Sequence, residues 1–276
     1  MPNPVVSKIQ LGLEIRKLRK AAGATREEVA KALDCDVSKI SRLESGKASL
    51  RTPEVDSLAR HFGMPDEKVE PLRRLAAAAR SRSTYRVPDW AQRYAGLEQE
   101  STEIRVYETE LIPGLLQTED YVRAIMHAAM PCKSNDEIDR LVAGRMSRQS
   151  KLFGDNVPHL VAIINEGAIR RIVGGRAAMK AQLNQLLDFG QLHHVDLHVL
   201  SFEAGAHCSM GTSFTLLYLP DPIDVRIAYL EDVLGADYLE EPEEIRTYSL
   251  NFERLLGAAL TPVKSLQVID QIQHDL

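Results

Sequence analysis

The sequence predicts two domains of different class: a mainly α N-terminal domain of five helices, residues 1–82, and an α+β C-terminal domain with a small, mainly antiparallel sheet, residues 88–276. Three observations carry this. Through the first eighty or so positions apolar residues recur at helical steps, with start and stop residues between them. Beyond Pro88 helical stretches mix with short runs rich in branched residues, and most of the strand-like runs cluster late. Charge divides at the same place. Residues 1–86 hold 18 Lys and Arg against 11 Asp and Glu, a balance of +7; the remaining 190 residues hold 16 against 28, a balance of −12, and the chain carries −5. A basic head on an acidic body predicts that only the head meets a polyanion.

In the head, Leu11, Ile15, Leu18 and Ala22 form one stripe of a helix between residues 7 and 22, with Arg16, Lys17, Arg19 and Lys20 around it. Gly23 supplies the left-handed stop. Thr25-Arg26-Glu27-Glu28 has the spacing of a capping box, and Val29, Ala30 and Leu33 are the buried stripe of the second helix. Asp34-Cys35-Asp36 breaks the pattern, and Asp36 is placed to cap a third helix from Val37 to about Glu44. Ile40 and Leu43 face inward there, Ser38, Ser41, Arg42 and Ser45 outward, and Gly46 ends the helix. Thr52–His61, with Val55, Leu58 and Phe62 inward, and Asp66 to about Arg80 complete the five.

Two short helices joined by a tight turn, the second showing small polar and basic side chains outward, make the reader of a helix-turn-helix. The stretch Leu11–Met64, including Thr25-Arg26-Glu27-Glu28-Val29-Ala30 and Asp36-Val37-Ser38-Lys39-Ile40-Ser41-Arg42-Leu43-Glu44-Ser45-Gly46-Lys47, resembles XRE-type (phage-repressor-like) DNA-binding domains. The resemblance implies an ion pair between Arg19 and Glu44 that fixes the first helix against the third. The chain departs from the family pattern at Asp34, where Gly is common, and at Arg26, where Gln is common, which leaves the preferred DNA sequence open. Groove geometry assigns the rest: the start of the third helix enters the major groove, where each base pair shows a distinct donor and acceptor pattern. Arg26, Ser38 and Arg42 are expected at base edges and Val37 at a thymine methyl. Thr25, Lys39, Ser41, Lys47 and Arg51 are expected on phosphates, which set register and salt dependence.

Arg80–Pro88 has no apolar period and ends in Pro, so the domain boundary is expected there. In the body, helices are expected at Asp89–Glu100, Glu119–Ala129, Asp136–Phe153, Arg176–Phe189, Glu243–Leu260 and Val263–Gln273, and strands at Ile104–Tyr107, His159–Asn165, Val195–Leu200, Ser213–Leu219 and Val225–Leu230. The phrases Val106-Tyr107-Glu108, Ile112-Pro113-Gly114-Leu115-Leu116-Gln117-Thr118-Glu119-Asp120-Tyr121, Arg145-Met146-Ser147-Arg148-Gln149 and Asn165-Glu166 are similar to the C-terminal domain of a group of actinobacterial XRE-type regulators. That resemblance implies a body that senses, dimerises or binds a small partner protein, in an arrangement like a toxin–antitoxin pair, and names no ligand.

The body carries no G-x-G-x-x-G after a strand, no phosphate loop and no H-E-x-x-H. His207-Cys208-Ser209-Met210-Gly211 lacks the first glycine of a serine nucleophile elbow. His193, His194, His198, His207 and Cys208 match no zinc spacing. No catalytic residue, metal or cofactor is therefore expected, and the chain is expected not to be an enzyme. Ile112–Thr118 reads either as a packed strand-to-helix corner or as a helix start holding an anion. Gln117, Thr118 and Tyr121, with Trp90 and Tyr94 on one helical face, are the candidate ligand or partner residues.

No apolar run approaches the roughly 20 residues of a membrane span, the first residues show no signal-peptide core, and Cys35, Cys132 and Cys208 are odd in number and scattered. No membrane association and a reducing cytoplasm are expected. The resulting expectation is a homodimeric, double-stranded-DNA-binding transcriptional regulator whose operator binding answers to a small-molecule effector or small protein partner; the alternative is an antitoxin-like module that sequesters a protein and autoregulates through DNA.

Overall fold

The computed structural model describes residues 3–81, 89–154, 156–220, 225–232 and 235–276, with side chains omitted at 89–91. The chain divides into two compact units, one holding the described residues through 81 together with Ala91–Glu100, the other holding residues 89–90 and Ser101–Leu276. Most of the expected boundary segment, 82–88, lies outside the described residues.

The N-terminal unit contains the five expected helices: α1 (Pro4–Ala21), α2 (Arg26–Ala32), α3 (Val37–Glu44), α4 (Thr52–His61) and α5 (Asp66–Ala79). Leu11, Ile15, Val29, Ile40, Leu43, Leu50, Val55, Leu58 and Leu72 meet in one core, as the helical stripes require. The Thr25–Glu28 capping box forms in both directions, and Asp34 takes the left-handed turn conformation at φ 48°. Two local expectations need correction. Asp36 occupies the cap position of α3, but its side chain makes no capping bond. Helix α1 begins at Pro4, not near residue 7, because the Asn3 side chain accepts from Val5 N at 3.0 Å and Val6 and Ile9 are buried. What buries that first turn is part of α6 (Asp89–Glu100), which was expected in the second domain: Asn3 Nδ2 donates to Gly96 O at 2.8 Å.

In the second unit one sheet runs in the order β3-β2-β1-β4-β5-β6, formed by β1 (Glu103–Glu108), β2 (His159–Asn165), β3 (Val195–Leu200), β4 (Phe214–Tyr218), β5 (Arg226–Glu231) and β6 (Ala236–Leu239). Three of its five pairings are antiparallel, and β1-β2 and β2-β3 are parallel. The parallel pairs follow from the long helical crossovers, since a hairpin cannot join parallel strands. Helices α7 (Glu119–Ala129) and α8 (Asn135–Met146) lie between β1 and β2, and α9 (Glu166–Arg170) and α10 (Arg176–Phe189) between β2 and β3. The stretch expected as one helix to Phe153 turns into a 3-10 segment at Ser147–Leu152, while α9 and β6 were not foreseen. Helices α11 (Pro242–Ala258) and α12 (Pro262–His274) end the chain. One sheet face, with Tyr107, Val161, Ile163, Phe214 and Leu216, packs on Ile245, Phe252 and Leu255 of α11. Among the described residues no helix is long and apolar enough to cross a membrane.

Candidate nucleic-acid interface

Helix α3 is built to show one side. Ile40 and Leu43 are fully buried, whereas Val37, Ser38, Ser41 and Arg42 are exposed, Val37 to 38%. Helix α2 reaches the turn with Cys35 N on Ala30 O at 3.0 Å, and Asp34 supplies the reversal. The Cys35 thiol packs against the core, and burial pushes it up, away from the thiolate form that redox chemistry needs. At the other end of α3, Gly46 turns at φ 65°, and a Cβ there would stand 2.7 Å from Ile9 of α1.

The expected pair of Arg19 and Glu44 is present: Arg19 Nε donates to Glu44 Oε1 at 2.5 Å and its Nη2 to Oε2 at 3.1 Å. Arg26 adds a third bond, Nε to Glu44 Oε2 at 3.0 Å, which sequence reading did not foresee. Burial alone would raise the Glu44 carboxyl, but the bonds from Arg19 and Arg26 outweigh it and hold the pKa below the usual range. Arg26 is thus tethered by its Nε, with its side chain still 43% exposed.

The remaining candidates divide by what holds them. Lys39, expected on a phosphate, turns its ammonium to Glu54 instead; Glu54 also accepts from Arg51 N at 2.7 Å, so α3 is tied to the start of α4. Burial would raise Glu54, yet these bonds hold it low. Thr25 Oγ1 accepts from Glu28 N at 3.2 Å, which leaves its hydroxyl proton for an outside acceptor. Lys47 and Arg51 are exposed, and among the described residues no protein group binds the charged ends of Arg42 or Lys47.

The candidate ligand residues of the body are arranged differently. Tyr121 is fully buried, with its hydroxyl accepting from Ile112 N at 3.2 Å. Gln117, also buried, donates to Ile112 O at 2.6 Å and accepts from Arg145 at 3.1 Å. Thr118 caps α7 by accepting from Tyr121 N at 3.4 Å, but its own amide is taken by Gln182 at 2.7 Å. Gln182 and Gln185 both donate to Leu116 O, and Gln149 to Gln117 O. The corner is a packed one: the Thr118 and Tyr121 amides at this helix start are bonded within the protein. Tyr94 is half-buried, and the Trp90 side chain lies outside the described residues.

The histidines take separate partners, His194 Nε2 3.1 Å from Leu152 O, His198 Nδ1 2.9 Å from Leu260 O and His207 Nε2 3.4 Å from the Tyr107 hydroxyl. Among the described residues no three His, Cys, Asp or Glu side chains converge as a metal site. One titratable group stands out instead. Burial and the nearby Glu231 push Glu108, at the end of β1, up to about 7, against the opposing pull of a Ser213 hydrogen bond and Arg145. Continuing the registers Tyr107↔Phe214 and Thr215↔Tyr229 sets Glu108, Ser213 and Glu231 in one row on one face.

Residues 91–271 match the family described as a domain of unknown function, DUF5753. The chain belongs to the DUF5753 family. In this DUF5753 protein, residues 10–72 also match a helix-turn-helix domain, which covers α2, the turn and α3 and is consistent with DNA binding. No curated protein and no solved structure matches the chain.

Proposed function

We propose that this DUF5753 protein is a sequence-specific transcriptional regulator of the XRE type, working in the cytoplasm as a homodimer on a palindromic or pseudo-palindromic double-stranded operator, by binding and not by catalysis. One observation carries the reading: Val37, Ser38, Ser41 and Arg42 stand exposed together on a helix whose opposite side is sealed in the core. A helix of that shape fits the major groove, where Arg42 can grip guanine with two hydrogen bonds, Ser38 can serve either base type, and Val37 meets a thymine methyl. Arg26, steadied by Glu44, offers its remaining nitrogens at the edge of the same surface. Lys47, Arg51, Thr25 and Ser41 supply backbone contacts.

The dimer follows from affinity: one such head reads a short half-site, and two heads set about 34 Å apart along the duplex read a full one. The body is larger than a dimerisation arm requires, and a small molecule or small protein bound there changes the spacing or orientation of the heads. A coupling of about 1–3 kcal/mol suffices. Selection of duplexes from a random library by the purified full chain, at two salt concentrations, tests the reading. A palindromic consensus bound by two chains supports it. Enrichment without sequence preference, governed by salt alone, overturns it.

A further inference from the structure

Helix α6 belongs by sequence to the DUF5753 region, which begins at residue 91, yet Ala91–Glu100 folds into the N-terminal unit. Its seat is specific. Asn3 caps α1 with its oxygen while its Nδ2 donates to Gly96 O at 2.8 Å and reaches Glu100 Oε1 at 3.3 Å. Gly96 lies so close to α1 that a Cβ there would stand 2.8 Å from Val5 Cγ2. Ala95, Leu97 and Glu98 are buried. Arg93 Nη2 reaches Ser45 O, the residue that ends α3, at 3.4 Å. Helix α1 in turn meets α3 at Gly12, where a Cβ would stand 2.4 Å from Leu43 O. Only Ser101 and Thr102 separate α6 from β1, a strand paired on both sides, with β2 and with β4. Two residues are too few to act as a slack linker.

We propose that α6 is the element through which the C-terminal unit controls DNA binding. Seated on α1 it holds the end of α3 in the DNA-reading position; drawn off by a change at β1, it releases that end and binding weakens. The inference rests on the DNA-binding reading above and adds its regulation.

Two variants of the full chain test it. Asn3→Asp keeps an oxygen to cap α1, but loses the donor to Gly96 O and sets a second carboxylate beside Glu100. Gly96→Val forces α6 away from Val5. Hydrogen exchange across 92–100 and at the amides of residues 45–47 is measured together with affinity for the duplex that the wild-type chain selects. In both variants these amides are expected to exchange faster while α2 and α4 stay protected, and affinity is expected to fall about tenfold. Adding Glu100→Gln to Asn3→Asp restores a donor–acceptor pair with roles exchanged and should recover part of the affinity, which general destabilisation would not do. Released α6 amides with affinity changed by less than about twofold overturn the proposal. So do α6 amides that stay protected in Gly96→Val. If the wild-type chain selects no DNA, the functional reading fails separately, and exchange at 45–47 still decides whether α6 grips α3.

Discussion

Replacing Gly12 by Ala sets two effects of opposite sign against each other. Gly12 sits inside α1, where Ala is favoured over Gly by about 1 kcal/mol on propensity alone. The added Cβ, however, would stand 2.4 Å from Leu43 O and 3.0 Å from Glu44 O, both backbone atoms of α3. Neither oxygen can swing aside, so α1 and α3 must separate by about an ångström. That movement disturbs the turn of α3 that places Glu44 on Arg19. Overpacking of this kind costs about 1–3 kcal/mol before relaxation of the ion pair is counted. The clash outweighs the propensity, and a net loss of about 1–2 kcal/mol is expected.

Gly257 is the control. It lies exposed in α11, and a Cβ there would meet nothing within 4 Å. Gly257→Ala should stabilise by a few tenths to about 1 kcal/mol, less than mid-helix because the helix ends at Ala258. With two units one unfolding free energy is not defined, so native-state hydrogen exchange should be read separately in each. If Gly12→Ala stabilises the N-terminal unit as Gly257→Ala stabilises the other, the close approach of α1 and α3 is refuted.

Three further outcomes are expected. Arg42→Ala should weaken operator binding by about 1–3 kcal/mol per head and relax one base position in each half-site, whereas Lys47→Ala should weaken all duplexes alike and lower the salt slope by about 1 per head, about 2 for the dimer; equal effects from both would undo the division into base and phosphate contacts. Glu44→Gln should cost the N-terminal unit about 2–3 kcal/mol at pH 7, below the value for a fully buried pair because Arg26 is half in water. The Glu44 pKa is lowered by folding, so its contribution exists above the ordinary carboxylate range and disappears as pH falls through the folded value; wild type and variant should converge in acid, and a constant gap would refute the pairing. Glu108 has the opposite sign: its pKa rises on folding from 4.5 to about 7, so its stabilisation is full below 4.5 and is lost as pH climbs through 7. At most about 3 kcal/mol of C-terminal stability is involved, and Glu108→Gln should flatten that part of the pH profile, measured by denaturant unfolding at pH 5 and pH 8.

What the sequence made legible was what neighbours in the chain decide. Helix α3 spans Val37–Glu44 as read, because its stripe and its stop at Gly46 lie within ten residues. Strands β2 and β3 have the expected bounds, since their runs of buried branched residues show directly. The missed elements are short or depend on distant partners. Strand β6 has only four residues, two exposed and two half-buried, with no alternation, and the first turn of α1 is buried by a helix more than ninety residues away. The same applies to the site. The outward placing of Ser38 and Arg42 on α3 could be read from helical phase alone, but nothing local reveals that Lys39 turns to Glu54 or that Arg26 shares Glu44 with Arg19. That Gln182 and Gln185, more than sixty residues on, bond into the corner of Gln117, Thr118 and Tyr121 is likewise invisible locally.

On the proposed reading, the ion pairs also limit how the head can hold a duplex. Of the cations near α3, Lys39 is neutralised by Glu54, and Arg19 is spent on Glu44. Lys47 and Arg51 would remain for phosphate, and the free end of Arg26, at the edge of the reading surface, adds a third positive charge, about three charges per head. Exposed charges are screened over about 8 Å at physiological salt, so more distant cations add little once the helix is docked. Three released counterions per head correspond to a salt slope near −3, and about −5 for a dimer. On the proposed reading, one head with so few phosphate contacts would hold DNA weakly, so the proposed base contacts and second head would be needed for a stable complex. A slope of the full chain on its selected duplex steeper than about −8 would mean that cations outside the α2–α3 face do much of the binding, and the reading centred on α3 would have to be abandoned.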